Sequence, residues 1–380
     1  MVINNKFFFF FAYFTTILSS ADVLNINFEF FRYLNYLLII ILTFFLVDFR
    51  NTSRDSFLLT LLSFFFISIT SISKGYESSI LLKYFLIIYL FFISSCERLK
   101  IPKEILNYSI LYPYITLLLI GFLQSLFLNL DLDLDSHSYL FIVYKDVFIH
   151  SRPIGLALEP TFYSQQILIL AVLSDYLGLK KFSKPIINTT LNLILIIILI
   201  ECRSRTSVVG GILYILFNYY RFNKKTIFLY TLIPSFAFIF VERLNDQLTN
   251  FTNRIISLYS IIGREDAFIY MYKKIMHAPI FGYGLTSNIH ESGLMVGALY
   301  ANFPIALIYG IGIGSIPFLL LIVNLIISSL RKCKKLPILL ICIFSLPMPF
   351  LYTSFGLMSL FFSTYKIKFL KEISKKNIYY

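Results

Sequence analysis

The chain has 380 residues, 58% of them hydrophobic, with a mean hydropathy of +0.79. A soluble domain of that size cannot keep so much apolar surface from water. The composition therefore excludes one and indicates an all-α, polytopic integral membrane bundle. The net charge of +13 does not indicate nucleic acid, because no basic face or aromatic platform accompanies it and basic residues gather in the cytoplasmic loops of membrane proteins.

In chain order, the first apolar run is Phe7 to Leu18, with Lys6 before it and Ser19-Ser20-Ala21 after it. That pattern suits a cleaved signal peptide or a retained first helix over 3–20. The membrane character of everything that follows favours retention. Further spans are expected at 33–49, 57–72, 80–95, 108–128, 156–177, 186–200, 207–220 and 226–241. Basic clusters follow every second one: Arg50 and Arg54; Arg98, Lys100 and Lys103; Lys180, Lys181 and Lys184; Arg221, Lys224 and Lys225. If each span crosses once, these clusters and the N-terminus share the cytoplasmic side. The odd-numbered loops then face outward, including the long 129–155 and 242–290 loops, the latter with amphipathic helices.

Near the end, Arg331, Lys332, Lys334 and Lys335 form a dense cluster, and Lys366 to Lys376 form another. Both are kept inside by one crossing at 311–330, with 286–309 at the outer surface or re-entrant, and a hairpin over 336–365. The expected total is about 12 spans with both termini cytoplasmic, all in a single membrane domain over 1–380. Gly310 and Gly314 are four apart and let a neighbouring helix approach closely. Gly310-Ile311-Gly312-Ile313-Gly314 is not a dinucleotide loop, since no strand precedes it. The cysteines Cys96, Cys202, Cys333 and Cys342 form no C-x-x-C pair and suggest neither zinc nor a disulfide framework.

Ionisable residues at span ends are candidate site residues, because charge at a lipid boundary is costly. Arg152-Pro153-Ile154-Gly155-Leu156-Ala157-Leu158-Glu159-Pro160 opens the sixth span, with prolines suited to a turn and a helix start. Arg152 and Glu159 either pair as a structural salt bridge or wall a polar pocket. Glu201 to Thr206 joins two spans with almost no loop. Its Arg203 and Arg205 lie outside, against the positive-inside trend, either reaching to headgroups or forming a guanidinium cluster for phosphate. In the 242–290 loop, Phe268, Met271, Tyr272 and Ile275 share a helical face. That helix lies on the bilayer or presents Arg264 to an anion, a cation at a helix N-terminus being otherwise unfavourable. Ala278-Pro279 ends it, and Phe281-Gly282-Tyr283-Gly284 is a tight turn. His290 and Glu291 follow. Asp131-Leu132-Asp133-Leu134-Asp135 lacks the glycine and closing glutamate of a calcium loop, and the fold that a nucleotide-sugar D-x-D requires is missing. It reads as a solvated loop.

Three features together resemble the O-antigen polymerase and ligase family of bacterial envelope glycosyltransferases. They are R-P-x-G-x-x-x-E-P before a helix (Arg152 to Pro160), S-R-T opening a helix (Ser204 to Thr206), and G-R, a helix and P-x-F-G-x-G (Gly263-Arg264, then Pro279 to Gly284) followed by His290. Glu291 follows His290 where the family carries an amide or hydroxyl residue. Ala301-Asn302-Phe303-Pro304 stands where it carries G-x-x-G. Both departures weaken the ligase reading more than the polymerase reading.

The resemblance implies a helical bundle in the bacterial inner membrane with a periplasmic catalytic cavity. The implied substrate is an oligosaccharide on undecaprenyl diphosphate, with membrane lipid, a chain-length regulator and a flippase as partners. It implies diphosphate binding by Arg152, Arg203, Arg205 and Arg264, base catalysis by His290 or Glu159, and neither metal nor cofactor. The competing readings are a ligase that moves glycan to lipid A core or protein, a transporter or flippase, and a non-catalytic assembly subunit. A transporter predicts related halves and mid-membrane charge, neither of which is seen.

Overall fold

The computed structural model describes residues 6–21, 29–48, 53–74, 78–98, 101–129, 144–146, 149–157, 160–180, 185–202, 204–219, 273, 275–283, 303–332, 335–345 and 353–364. These are mostly helical, as the composition requires. The chain divides into two compact units. The first comprises Met1–Pro113, Ile169–Lys180 and Met271–Tyr380; the second comprises Tyr114–Leu168 and Lys181–Tyr270.

In the first unit the helices are α1 (Lys6–Ser20), α2 (Glu29–Phe45), α3 (Arg54–Lys74), α4 (Ser78–Ser95) and α5 (Lys103–Leu106). A π-helical turn, Asn107–Leu111, carries α5 directly into α6 (Tyr112–Asn129). Later in the chain come α7 (Pro160–Tyr176), α8 (Pro185–Glu201), α9 (Arg205–Tyr219), α10 (Phe303–Ile311) and a 3₁₀ turn at Gly312–Ser315. The described helices end with α11 (Ile316–Lys332), α12 (Lys335–Ser345) and α13 (Ser354–Ser363).

Helices thus occupy the stretches read as spans, apart from 226–241, which lies outside the described residues. Among the described residues, three helical stretches are both long and apolar enough to cross a membrane: Arg54–Lys74, Lys103–Leu126 and Leu307–Ile327. The second expected span runs to 49, but α2 stops at Phe45. There the Leu46 amide bonds Thr43 O and the chain enters a short strand, β1 (Val47–Asp48). β1 pairs antiparallel with β2 (Glu97–Arg98), matching Val47 to Arg98. The pairing holds the ends of α2 and α4 side by side and so brings together two of the basic loops expected to share a face.

The packing is inverted relative to that of a water-soluble helix. α3 buries Ser56, Thr60, Ser63, Thr70 and Ser71 while Phe57, Leu58, Leu61 and Phe65 are at least half exposed and Ile72 is 82% exposed. α1 buries Thr15, Thr16, Ser19 and Ser20 and exposes Phe7, Phe10 and Phe14. Water penalises such a surface; hydrocarbon does not, and small polar residues are the ones that let helices approach each other there. The buried hydroxyls are satisfied cheaply by carbonyls one turn back, as in Thr60 to Ser56 O and Ser71 to Ile67 O, both 2.7 Å.

Two details show how backbone polarity is settled across helices. Pro113 has no N–H, so the carbonyl four residues back, Ser109 O, loses its helical donor. The π-helical turn lies at that point, and Thr16 of α1 donates its hydroxyl to Ser109 O at 2.7 Å. At Gly314 the backbone lies so close to α3 that an added Cβ would come 3.1 Å from Phe66, as expected of a glycine at a helix contact.

Lys180, one of the expected cytoplasmic lysines, is not at a free surface. Two residues past the end of α7, Gly178 has a φ of 66°, and the Leu179 amide returns to Ser174 O at 2.8 Å. Lys180 is buried, with Nζ 3.3 Å from Asp175 Oδ2. Burial pushes its pKa below the usual lysine value, and Asp175 acts in the opposite direction.

Two outcomes are expected from thermal unfolding of the detergent-solubilised protein. Thr16→Val removes the hydroxyl that donates to Ser109 O and lowers stability by about 1–3 kcal/mol, whereas Thr16→Ser retains most of it. Asp175→Leu destabilises more than the Asp175→Leu/Lys180→Met double variant, because only the single change keeps a buried ammonium while removing its carboxylate.

Candidate functional site

The Arg152–Pro160 motif lies in the second unit, between the ribbon β3 (Tyr144–Asp146)/β4 (Ile149–Arg152) and the start of α7. The ribbon pairs Tyr144 with Arg152 and Asp146 with Ile149, a shift in register that marks a bulge. Arg152 is thus fixed in backbone at the end of a strand. Pro160 is the first residue of α7, where its missing N–H costs nothing.

Between these points the chain makes a tight turn. The Ala157 amide bonds Ile154 O at 2.9 Å, and Gly155 takes a left-handed φ of 59°. One buried side chain of α6 holds this turn. Gln124 Oε1 accepts from the amides of Ile154 (3.0 Å) and Gly155 (2.8 Å), and Nε2 donates to Gly155 O at 3.0 Å. The amide group therefore does what a neighbouring strand would do, satisfying both faces of a buried loop.

Tyr163 of α7 braces the same turn. It is fully buried and donates its hydroxyl to Leu117 O of α6 at 2.8 Å. Its ring fills the space left by two glycines. A Cβ on Gly155 would collide with the ring, and one on Gly121 of α6 would collide with the phenol end. Gly155 is thus required twice, for its backbone angle and for the ring beside it.

The second motif meets the first here. α8 ends at Glu201 and α9 begins at Arg205, so the connection is as short as the sequence suggests, and S-R-T opens a helix. Cys202, fully buried between them, donates its thiol to Pro153 O at 3.5 Å. Ser204 is buried as well, and its carbonyl accepts from the Val208 amide at 3.0 Å, the first turn of α9. The segment following Arg152 and the segment preceding Arg205 are therefore in direct contact.

Of the residues proposed from the sequence, Arg152 and Arg205 are placed through their backbone. Glu159, Arg203, Arg264 and His290 lie outside the described residues. The Pro279–Tyr283 part of the third motif belongs to the first unit, where the helix before it ends at 277 as Ala278-Pro279 predicts. Among the described residues no three of His, Cys, Asp and Glu gather as a metal would need.

Gln124 and Tyr163 are the residues that motif reading missed. For Gln124 a signal existed, since it is an amide next to a serine in an otherwise apolar run from Ile115 to Leu128. A buried amide of that kind almost always has a backbone partner. Tyr163 had no comparable signal, because nothing local ties it to Gly121, which is 42 positions earlier.

Gln124→Leu strands the Ile154 and Gly155 amides, each costing about 1–3 kcal/mol, and lowers the thermal midpoint in detergent. Gly155→Ala costs more than the roughly 1–2 kcal/mol of a left-handed alanine, because the ring of Tyr163 must also move. Tyr163→Ala on that background recovers part of the loss, and a purely additive pair would contradict the contact. No protein-family model matches this chain, and no curated protein matches it.

Proposed function

We propose that this protein is a bacterial membrane glycosyltransferase that polymerises oligosaccharide repeat units carried on undecaprenyl diphosphate, at the extracytoplasmic face. The observation that carries the reading is the contact of the R-P-x-G turn with the segment just before S-R-T, through Pro153 and Cys202. Pro153 of the first motif and Cys202, two positions before the second, are in contact although 49 positions apart in sequence, and in this reading an arginine from each motif serves one anion. The outward-facing apolar helices support a membrane setting.

In this reading a hydroxyl at the non-reducing end of the acceptor attacks the donor's anomeric carbon. A new glycosidic C–O bond forms, the bond from that carbon to the diphosphate oxygen breaks, and undecaprenyl diphosphate departs. Arg152, Arg203, Arg205 and Arg264 bind the diphosphate and stabilise the charge that grows on its leaving oxygen. Fixed guanidinium groups do this without reorganising. His290 takes the hydroxyl proton, its intrinsic pKa lying near neutrality, with Glu159 as the alternative base. The buried Gln124–Gly155–Tyr163 brace fixes the strand end from which Arg152 projects, and loss of that rigidity costs rate as well as stability.

Arg205→Ala is expected to leave the protein in the membrane and abolish long glycan chains. Deleting the protein should reduce surface glycan to one repeat per anchor. A full polysaccharide ladder from Arg205→Ala sinks the diphosphate role, and accumulation of free lipid-linked polymer on deletion indicates a ligase.

A further inference from the structure

The turn at 278–283 is tied to the helix after it by backbone alone. The Tyr283 amide donates to Tyr309 O at 2.9 Å, and the Ile313 amide donates to Pro279 O at 2.8 Å. Gly282 and Gly312 both take a left-handed φ of 61°. A Cβ on Gly282 would run into Tyr309 O and Gly310, and one on Gly312 would run into Pro279 O and Ile280 O. Two glycines thus press two main chains together with no side chain between them. The rings of Tyr283 and Tyr309 stack beside the junction, 4.8 Å apart and within 15° of parallel.

The location of this junction matters. Leu307–Ile327 is one of the stretches long and apolar enough to cross a membrane. Tyr309 and Ile313 lie in the N-terminal part of this helical run, which opens at Phe303, so the turn docks near that end of the span. Irregular backbone there must be satisfied by protein, and the two hydrogen bonds together with the Gly282 amide to Ala278 O, 3.0 Å, provide this. Paired tyrosines suit the same level, with apolar rings and polar ends.

The outward side of the turn is apolar. Met276 is 63% exposed and Ile280 60%, with Phe281 partly exposed beside them. Ile313 and Ile316 continue the surface across the junction, and Leu320, Val323 and Ile327 extend it along α11. Of the exposed polar residues, Lys273 precedes this patch and His277 lies between Met276 and Ile280.

We propose that 275–283 is seated in the headgroup–acyl boundary of one leaflet, with Met276, Ile280 and Phe281 against lipid. The occupant of this apolar surface is the bilayer, because the patch is continuous with the outward face of the candidate span that it docks on. The 242–290 stretch is then not wholly an aqueous loop. Its Pro279–Tyr283 turn is a wedge in the membrane. The inference rests on the membrane reading of the helices and is independent of the glycan chemistry.

The chain contains no tryptophan, so one introduced residue is a unique fluorophore. Phe281→Trp, with Met276→Trp as a second probe, is reconstituted into phosphatidylethanolamine–phosphatidylglycerol vesicles with bromine at shallow or deep acyl positions. Phe65→Trp on the exposed face of α3 is the reference. The 281 and 276 probes should emit to the blue, lose most of their emission to shallow bromines, and resist aqueous iodide. If Phe65→Trp is quenched by brominated lipid while the other two are quenched only by iodide, this inference fails and the membrane reading stands. If brominated lipid quenches none of the three, both fail. Shielding of 276 and 281 from lipid and iodide alike, lost on dilution, identifies a second copy as the occupant and also overturns the proposal.

Discussion

Main-chain polar groups in the apolar helices of this protein must find their partners within the protein, because the outward surface of the described helices is largely apolar. That constraint organises what is seen. α3 and α1 turn serine and threonine inward and phenylalanine and leucine outward, the reverse of a helix in water. Where a proline removes a helical donor, a threonine from another helix replaces it. Where a helix breaks at Gly312, the freed groups bond to a second stretch of backbone. Each case is a local departure from the regular helix, and each is closed by a particular contact, because water cannot close it.

The Arg152–Pro160 turn follows the same rule at the place where chemistry is proposed. A turn with a left-handed glycine has amides that no helix or strand satisfies. Gln124 satisfies them, Tyr163 fills the space that Gly155 and Gly121 leave, and Cys202 fastens the far side. These groups have no charge, but they set where the chain leaves β4 and where α9 begins. An anion site built from arginines of separate segments depends on such support, since a guanidinium on a mobile loop gives up part of its electrostatic advantage in becoming ordered.

Much of the secondary structure was legible because apolar runs and prolines are local signals. Pro160 marks the start of α7, S-R-T the start of α9, and Ala278-Pro279 the end of a helix. The discrepancies occur where a partner remote in sequence intervenes. α2 stops short because β1 is claimed by β2. The expected span at 108–128 is part of a longer helical run from Lys103 with a π turn within it, which Thr16 helps to stabilise. Lys180 was read as one of a surface cluster, yet it is buried against Asp175 because the Gly178 turn folds it back. Of the proposed site, the motifs and their order came from sequence, whereas the brace of Gln124, Tyr163 and Gly121 did not.

The sequence by itself determined that the chain is helical and apolar, where some of its helices begin or end, and which charges interrupt them. These follow from composition and short-range pattern, which act through bonds between near neighbours. Tertiary structure alone decided which carbonyl Thr16 would serve, that Gly155 must be glycine because of a tyrosine, that Pro153 would meet Cys202, and that Gly282 and Gly312 would interlock. Each of these is a contact between residues far apart in the chain, fixed by the three-dimensional fit of helices whose apolar faces are interchangeable and whose few polar groups are not.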